Sequence, residues 1–209
     1  LAAPVRLHFW RAHTENDRGP RTGSRLGCWR DAGDTPGIYN NTKFSIEGYK
    51  ILENGKKVVV TCGAVICTQP ESKATIIYTI TSKGIEVDLQ FRPHEALPEV
   101  PEVSMLFELP GDFESVSYLG AGPFENYTDR NNAAKIGLYS STVDEMYTDY
   151  LKPQECGNRT GVRYATLVGS RKTFTVVAEP VMEMNVSRWL PKELEAASHK
   201  KDLPESSKT

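Results

Sequence analysis

The chain has 209 residues, 39% of them hydrophobic and 25% charged, and a formal net charge of −2. A chain of that length buries a substantial core within one domain, and so small a charge gives no electrostatic case for nucleic acid or an anionic membrane as a partner. No apolar run approaches the roughly 20 residues that cross a bilayer as a helix. Leu1-Ala-Ala-Pro4 does not have the make-up of a signal peptide, and the abrupt start reads as the edge of a longer polypeptide.

In chain order, the first extended segment is marked by Phe44, Ile46 and Gly48, which alternate with polar neighbours. Asn54-Gly55 follows, a strong hairpin signal between two strands. Residues 58–69 are β-branched and predict the second strand, and 74–81 and 85–91 predict two more across Ser82-Lys83-Gly84. Ile85, Val87, Leu89 and Phe91 share one face of the last strand, and Glu86, Asp88 and Gln90 share the other, which predicts one dry and one wet face. The Pro-rich stretch 92–101 reads as a crossover loop between sheets. Further strands are expected at 104–109, 115–119, 163–168 and 173–178. Short helical turns are expected around 143–147 and over 191–199, where Pro191 sits near the start and Leu190, Leu194 and Ala197 share a face. The polar tail 200–209 is expected to fray. Short turns between successive strands favour antiparallel pairing, and the whole reads as all-β, a large antiparallel two-sheet sandwich.

Cys28, Cys62, Cys67 and Cys156 do not form a disulfide framework in a domain this size. Cys62 and Cys67 are an odd number of positions apart, so on one continuous strand they face opposite sides. No C-x-x-C is present, which argues against a zinc site. The Asn-x-Ser/Thr triplets at Asn40, Asn126, Asn158 and Asn185 read as chance occurrences.

The densest chemistry lies at 118–130. A strand end breaks at Gly120, Gly122 and Pro123 and is followed by Glu125, Asn126, Tyr127, Asp129 and Arg130. Charged, amide and aromatic groups side by side suit a sugar or a docked loop, and they equally suit a polar turn held by its own side chains. This segment resembles the small-chain (C-terminal sandwich) domain of LacZ-type β-galactosidases of glycoside hydrolase family 2. Phe9-Trp-Arg-Ala-His-Thr-Glu-Asn-Asp-Arg-Gly19 resembles that family's F-x-R-A-P-x-D-N-D-x-G, with His13 in place of Pro and Glu15 in place of Asp. Trp29-Arg-Asp-Ala-Gly33 resembles its W-x-x-A-G. The stretch 147–163 resembles its Y-x-x-Y-x-x-P-x-E-x-G-x-R-x-x-x-R, and Asn185-Val-Ser187 with Ser198-His199 fits its closing pattern.

The resemblance implies a galactose mutarotase-like supersandwich, truncated at both ends. An opening segment before Phe9 is missing, as is a Gly-rich loop with a Trp after His199; Trp10, Trp29 and Trp189 are in other contexts. It also implies a parent enzyme that hydrolyses terminal β-D-galactosyl groups. A retaining glycosidase needs two carboxyl groups about 5 Å apart, and in the family both sit in a TIM-barrel domain, for which this chain has no room. Glu15 with Asp17, Glu125 with Asp129, and Glu155 read as structural carboxylates paired to Arg130, Arg159 and Arg163. A mutarotase-like His acid is disfavoured, because His8, His13, His94 and His199 do not lie beside the carboxylate motifs.

Three readings stay open. The first is a non-catalytic β-galactosidase domain whose Arg11, Asn16, Asp17, Trp29, Glu125, Asn126, Tyr127, Asp129, Arg130, Glu155, Arg159 and Arg163 face the barrel or the sugar. The second is a stand-alone carbohydrate-binding module with Tyr118, Tyr127, Trp29 or Tyr150 as stacking platforms. The third is a structural interface domain. The first implies the barrel and a β-galactoside as partners, leaves a homo-oligomer open, and expects no cofactor here. By resemblance, magnesium belongs to the barrel and a sodium ion to backbone oxygens near Lys152-Pro153. Bacterial cytoplasm and periplasm are both open.

Overall fold

The computed structural model describes residues 1–3, 5–19, 22–33, 42–206 and 209. The chain is all-β, mostly strand in antiparallel sheets with a few short helices. It divides into two compact units. One contains Leu1–Arg6, Arg11–Asn16 and Met105–Thr209; the other contains Leu7–Trp10 and Asp17–Ser104.

The second unit begins with parts of the short strand β1 (Arg6–His8) and of the short helix α1 (Glu15–Arg18), followed by the short helices α2 (Thr22–Arg25) and α3 (Gly27–Gly33). Its sheet is a meander of β2 (Lys43–Leu52), β3 (Lys57–Ile66), β4 (Ser72–Thr81) and β5 (Gly84–Arg92), paired in that order. The β2–β3 hairpin turns through Glu53, Asn54 and Gly55, all at positive φ (52°, 53° and 87°). Asn and Gly tolerate that region better than most residues, so the Asn-Gly signal is met.

One departure from the alternation of Phe44, Ile46 and Gly48 is a bulge. Ile46 opposes Cys62 and Gly48 opposes Thr61, so Glu47 is an extra residue. The bulge shifts the side-chain phase by one, and Tyr49 and Ile51 replace Gly48 on the apolar face. Across the register that face carries Ile46, Cys62, Ile76 and Leu89 in one row and Tyr49, Val60, Tyr78 and Val87 in the next. It is dry only at one end of the inner strands, since Phe44 and Ile46 on the edge strand β2 are exposed. Ala64, Ala74 and Ile76 are buried, and Phe91 stacks on Phe9 at 5.0 Å and meets the edge of Trp29 at 6.0 Å. At the other end Ile51, Ile85 and Tyr49 are exposed. The dry face expected along all of β5 is therefore confined to the part that Phe9 and Trp29 reach.

The first unit contains part of β6 (Ser104–Leu106) and a four-stranded sheet of β7 (Ser115–Gly122), β8 (Lys135–Thr142), β9 (Arg159–Val168) and β10 (Thr173–Met184), in the order β10-β9-β7-β8. β7 does not break at Gly120. It continues to Gly122, with Gly120 opposite Gly137 of β8. β10 carries Pro180 inside a register shift between Val177 and Met182, where its missing N–H removes no ladder bond. Val116 opposes Leu167 and Tyr118 opposes Ala165. These four form the core with Leu109, Phe113, Val143, Met146, Val162, Met184 and Val186.

Two short helices follow the expected positions: α4 (Val143–Met146) and α5 (Pro191–Ala196). Thr142 caps α4 in a capping box. Its hydroxyl accepts from the Glu145 N–H at 3.2 Å, and the Glu145 carboxylate accepts from the Thr142 N–H at 2.9 Å. Thr142→Ala is expected to cost about 1 kcal/mol, read as a lower urea midpoint at unchanged slope; an unshifted midpoint would show that the cap is redundant.

Parts of the tail are tied down. Trp189 Nε1 donates to the Pro204 carbonyl at 2.9 Å, and Thr209 exchanges backbone hydrogen bonds with Leu109. None of the four cysteines is in a disulfide. Cys67 lies just beyond β3, so the opposite-face argument never applies to it.

Candidate functional site

The polar motifs at 118–130 and 147–163 meet in the first unit, around Glu125 and Asn126. Glu125 follows the turn at the end of β7. Its carboxylate accepts from Thr148 Oγ1 at 2.8 Å, the Gly157 N–H at 2.7 Å, Arg130 Nη2 at 2.8 Å and the Tyr150 hydroxyl. Burial of the carboxyl works to raise its pKa, but the bonds from Tyr150, Gly157, Arg130 and Thr148 outweigh it and hold the group below its ordinary range. Gly157 sits at φ +82°, and a Cβ there would lie 2.5 Å from the Met146 carbonyl oxygen. Only glycine lets this N–H reach Glu125 without strain.

Asn126 is 2% exposed. Its amide donates to the carbonyls of Ala121 (3.1 Å) and Phe124 (2.9 Å), and its Oδ1 accepts from the N–H (3.0 Å) and hydroxyl (2.7 Å) of Thr160. Its backbone pairs with Asn158 in both directions: N–H to the Asn158 carbonyl at 2.9 Å, carbonyl from Asn158 Nδ2 at 3.0 Å. Asn158 Nδ2 also donates to Glu183, which accepts a further bond from Thr128. Three of the four Asn-x-Ser/Thr positions, Asn126, Asn158 and Asn185, are thus engaged inside the fold; Asn40 lies outside the described residues.

The expected ion-pair network is corrected in part. Arg130 pairs with Glu125 and covers the Tyr127 ring at 4.5 Å. Arg159 and Arg163 bind no carboxylate among the described residues. Arg159 is buried on the Tyr118 hydroxyl and two carbonyls, and Arg163 donates to the Gly161 carbonyl. Glu155, also buried, accepts from Asn185 Nδ2 at 2.6 Å and from the Tyr127 hydroxyl at 3.4 Å. Burial, with Glu155 and Glu125 nearby, pushes the Tyr127 hydroxyl pKa upward. Burial likewise pushes the Cys156 thiol up to about 12, with Glu155, Glu125 and Asp149 adding to it, so it stays protonated and unreactive at neutral pH. Asp129 stands outside this network. It sits at the tip of the turn closed by the Arg130 N–H on the Tyr127 carbonyl, and its side chain is exposed.

Of the other candidate segments, the start of α1 is tied to the 147–163 segment, by the Glu15 N–H on Gln154 Oε1 at 3.0 Å. Arg11 is partly buried in the first unit. Asn16 and Asp17 lie on α1, the first exposed and the second partly buried. Trp29 is fully buried in the second unit, its Nε1 on the Pro98 carbonyl. The four histidines make local contacts: His8 lies 3.6 Å from Glu102, His13 2.9 Å from Glu195 and His199 3.4 Å from Asp202, and His94 accepts from the Ala96 N–H. The expected stacking platforms are also engaged. Tyr118 and Trp29 are buried, Arg130 covers Tyr127, and Tyr150 is bound to Glu125. The exposed apolar side chains beside the site are Phe124 (81%) and Leu151 (94%), neither singled out by the motifs. Thr160, Glu183 and the Gly157 N–H belong to the site but carry no distinctive sequence signal.

A glycosidase acid needs a raised carboxyl pKa. Glu125 is shifted the other way, and both its oxygens are taken by donors from three segments. Among the described residues no group of three or more His, Cys, Asp or Glu is placed to hold a metal. The arrangement fastens two loops to each other and to the end of β7.

The first unit is all-β, and two of its polar loops are cross-linked at the end of β7. All 209 residues match the family described as beta galactosidase small chain, and the chain belongs to it. It is 34% identical over 208 residues to a β-galactosidase of Priestia megaterium, covering 99% of this chain and 19% of that protein. It is 30% identical over 208 residues to one of Streptococcus thermophilus (98% and 19%), and 37% identical over 135 residues to one of Clostridium acetobutylicum (64% and 14%). The chain spans about a fifth or less of the length of these relatives.

Proposed function

We propose that this chain is the non-catalytic small-chain domain of a β-galactosidase of glycoside hydrolase family 2, an enzyme that removes terminal non-reducing β-D-galactosyl groups. Its task is to pack on a TIM-barrel catalytic domain and form part of the wall of the active-site cleft. One observation carries this reading. The motif carboxylate Glu125 is engaged internally, while the loops it fastens hold Phe124 and Leu151 outward. Large apolar side chains on loops fastened in this way are what a protein contact uses as anchors.

Magnesium in such an enzyme belongs to the barrel. By resemblance alone, a sodium ion held by backbone oxygens is assigned to the neighbourhood of Lys152-Pro153. The test is a chromogenic β-galactoside assay of the chain alone and mixed with the remaining polypeptide of its parent enzyme. The expected result is no turnover alone and turnover in the mixture. Turnover by the isolated chain would overturn the reading and make Glu125 and Glu155 the residues to mutate.

The exposed Phe124 favours a second reading, a carbohydrate-binding module. That reading requires galactose or lactose to raise the melting temperature, since a ligand at 100 times its Kd adds about 2.7 kcal/mol, and requires Phe124→Ala to abolish the rise.

A further inference from the structure

We propose that the Arg159 guanidinium is a binding site for a carboxylate group. Arg159 is 4% exposed, yet all its partners are neutral. Nε donates to the Tyr118 hydroxyl at 3.0 Å, and Nη1 donates to the carbonyls of Gly157 (2.9 Å) and Asn158 (3.2 Å). Among the described residues Nη2 has no hydrogen-bond partner, and Arg159 forms no ion pair. Nη2 is the one guanidinium nitrogen without an acceptor among them, and it is not completely buried.

A buried guanidinium surrounded by neutral acceptors has lost much of its hydration without gaining a counter-charge. The nearby carboxylates do not supply one. Glu125 is held by Tyr150, Thr148, Gly157 and Arg130, and Glu183 by Asn158 and Thr128. The side chain is fixed in place by three bonds, which leave the two N–H groups of Nη2 without a protein acceptor among the described residues. A carboxylate oxygen arriving at Nη2 would make a charge-assisted hydrogen bond and give the buried cation its counter-charge. A sugar hydroxyl could accept a bond there but would not balance the charge. The carboxylate comes either from an Asp or Glu of the remaining polypeptide, a source that rests on the β-galactosidase-domain reading, or from a free small acid.

The Arg159 Nε resonance of the 15N-labelled 209-residue chain reports on the site. Sodium acetate is expected to move it saturably, while sodium chloride at equal ionic strength is not. Equal, non-saturating drift in both salts would overturn the proposal, and because the titration uses the unmodified protein, a misfolded variant cannot obscure it. In Arg159→Gln, acetate and chloride should act alike on the neighbouring Tyr118 and Gly157 signals; a surviving acetate-specific response would place the site elsewhere and also overturn the proposal. Adding the remaining parent polypeptide separates the sources. An acidic side chain from it sets the Nε resonance at its acetate-bound position without acetate, whereas a site for free acids still requires acetate. Failure of the two polypeptides to associate, with the acetate response intact, would count against the domain reading alone.

Discussion

Asn126→Ala is expected to lower stability by about 3 kcal/mol. The side chain makes four hydrogen bonds in a site that is 2% exposed. Each such bond contributes about 1 kcal/mol net, and a buried partner left unsatisfied costs about 1–3 kcal/mol. Ala strands the carbonyls of Ala121 and Phe124 and both donors of Thr160, with water only partly replacing the amide. For a chain of this size the melting temperature should fall by roughly 6–12 °C. Asn126→Asp should be worse although it is nearly isosteric, because it sets a carboxylate oxygen against the two carbonyls the amide now serves. Thermal unfolding of both variants checks this. An Asp variant as stable as wild type would show that the two bonds donated by the Asn126 amide contribute nothing to stability.

Glu125→Ala ranks next, at about 2–3 kcal/mol, and its effect depends on pH. The carboxylate is 10% exposed and accepts from Tyr150, Thr148, Gly157 and Arg130. Because Arg130 is half exposed, its share is screened by solvent and falls within about 0–1 kcal/mol; the bonds from Thr148 and the Gly157 N–H supply most of the effect. Folding depresses the Glu125 pKa below its ordinary 4.5. The associated stability is therefore complete above about pH 4.5 and is lost as pH falls through the folded value. Urea melts from pH 7 down to pH 3 should show the gap between wild type and Glu125→Gln closing at the acid end. A gap constant with pH would show that ionisation contributes nothing. Asp129→Ala, at an exposed turn tip, should change stability by less than about 0.5 kcal/mol.

The difference between Glu125 and Asp129 shows where sequence reading stops. Both are carboxylates of one motif, four positions apart. What separates them is the turn from Tyr127 to Arg130, which points Asp129 outward, and partners 23 to 32 positions from Glu125. The Gly157 donor is a backbone N–H, and no side chain announces it. The motifs did locate both loops, because dense polar and aromatic groups beside strand ends are unusual enough to stand out. Strand positions were legible wherever β-branched residues alternate, as in β3, β4 and β5. β8 was not, because Lys135-Ile-Gly-Leu-Tyr-Ser-Ser-Thr142 mixes a glycine and hydroxyl residues into an edge strand with no fully buried position. α1 to α3 are four to seven residues long, too short for a helical period to register. The bulge at Glu47 was hidden because period-2 reasoning assumes an unbroken ladder.

The two sheet orders have a kinetic consequence. In the meander every strand pairs with its neighbour in sequence across a turn of a few residues, so each hairpin closes at a small entropic cost and little search is needed. In the other sheet β7 pairs both with β8 and, across 36 intervening residues, with β9. That closure must come before the contacts that reward it. Refolding should therefore have two speeds, with the meander collapsing early. The loops around Asn126, whose bonds need β7 and β9 already side by side, lock last.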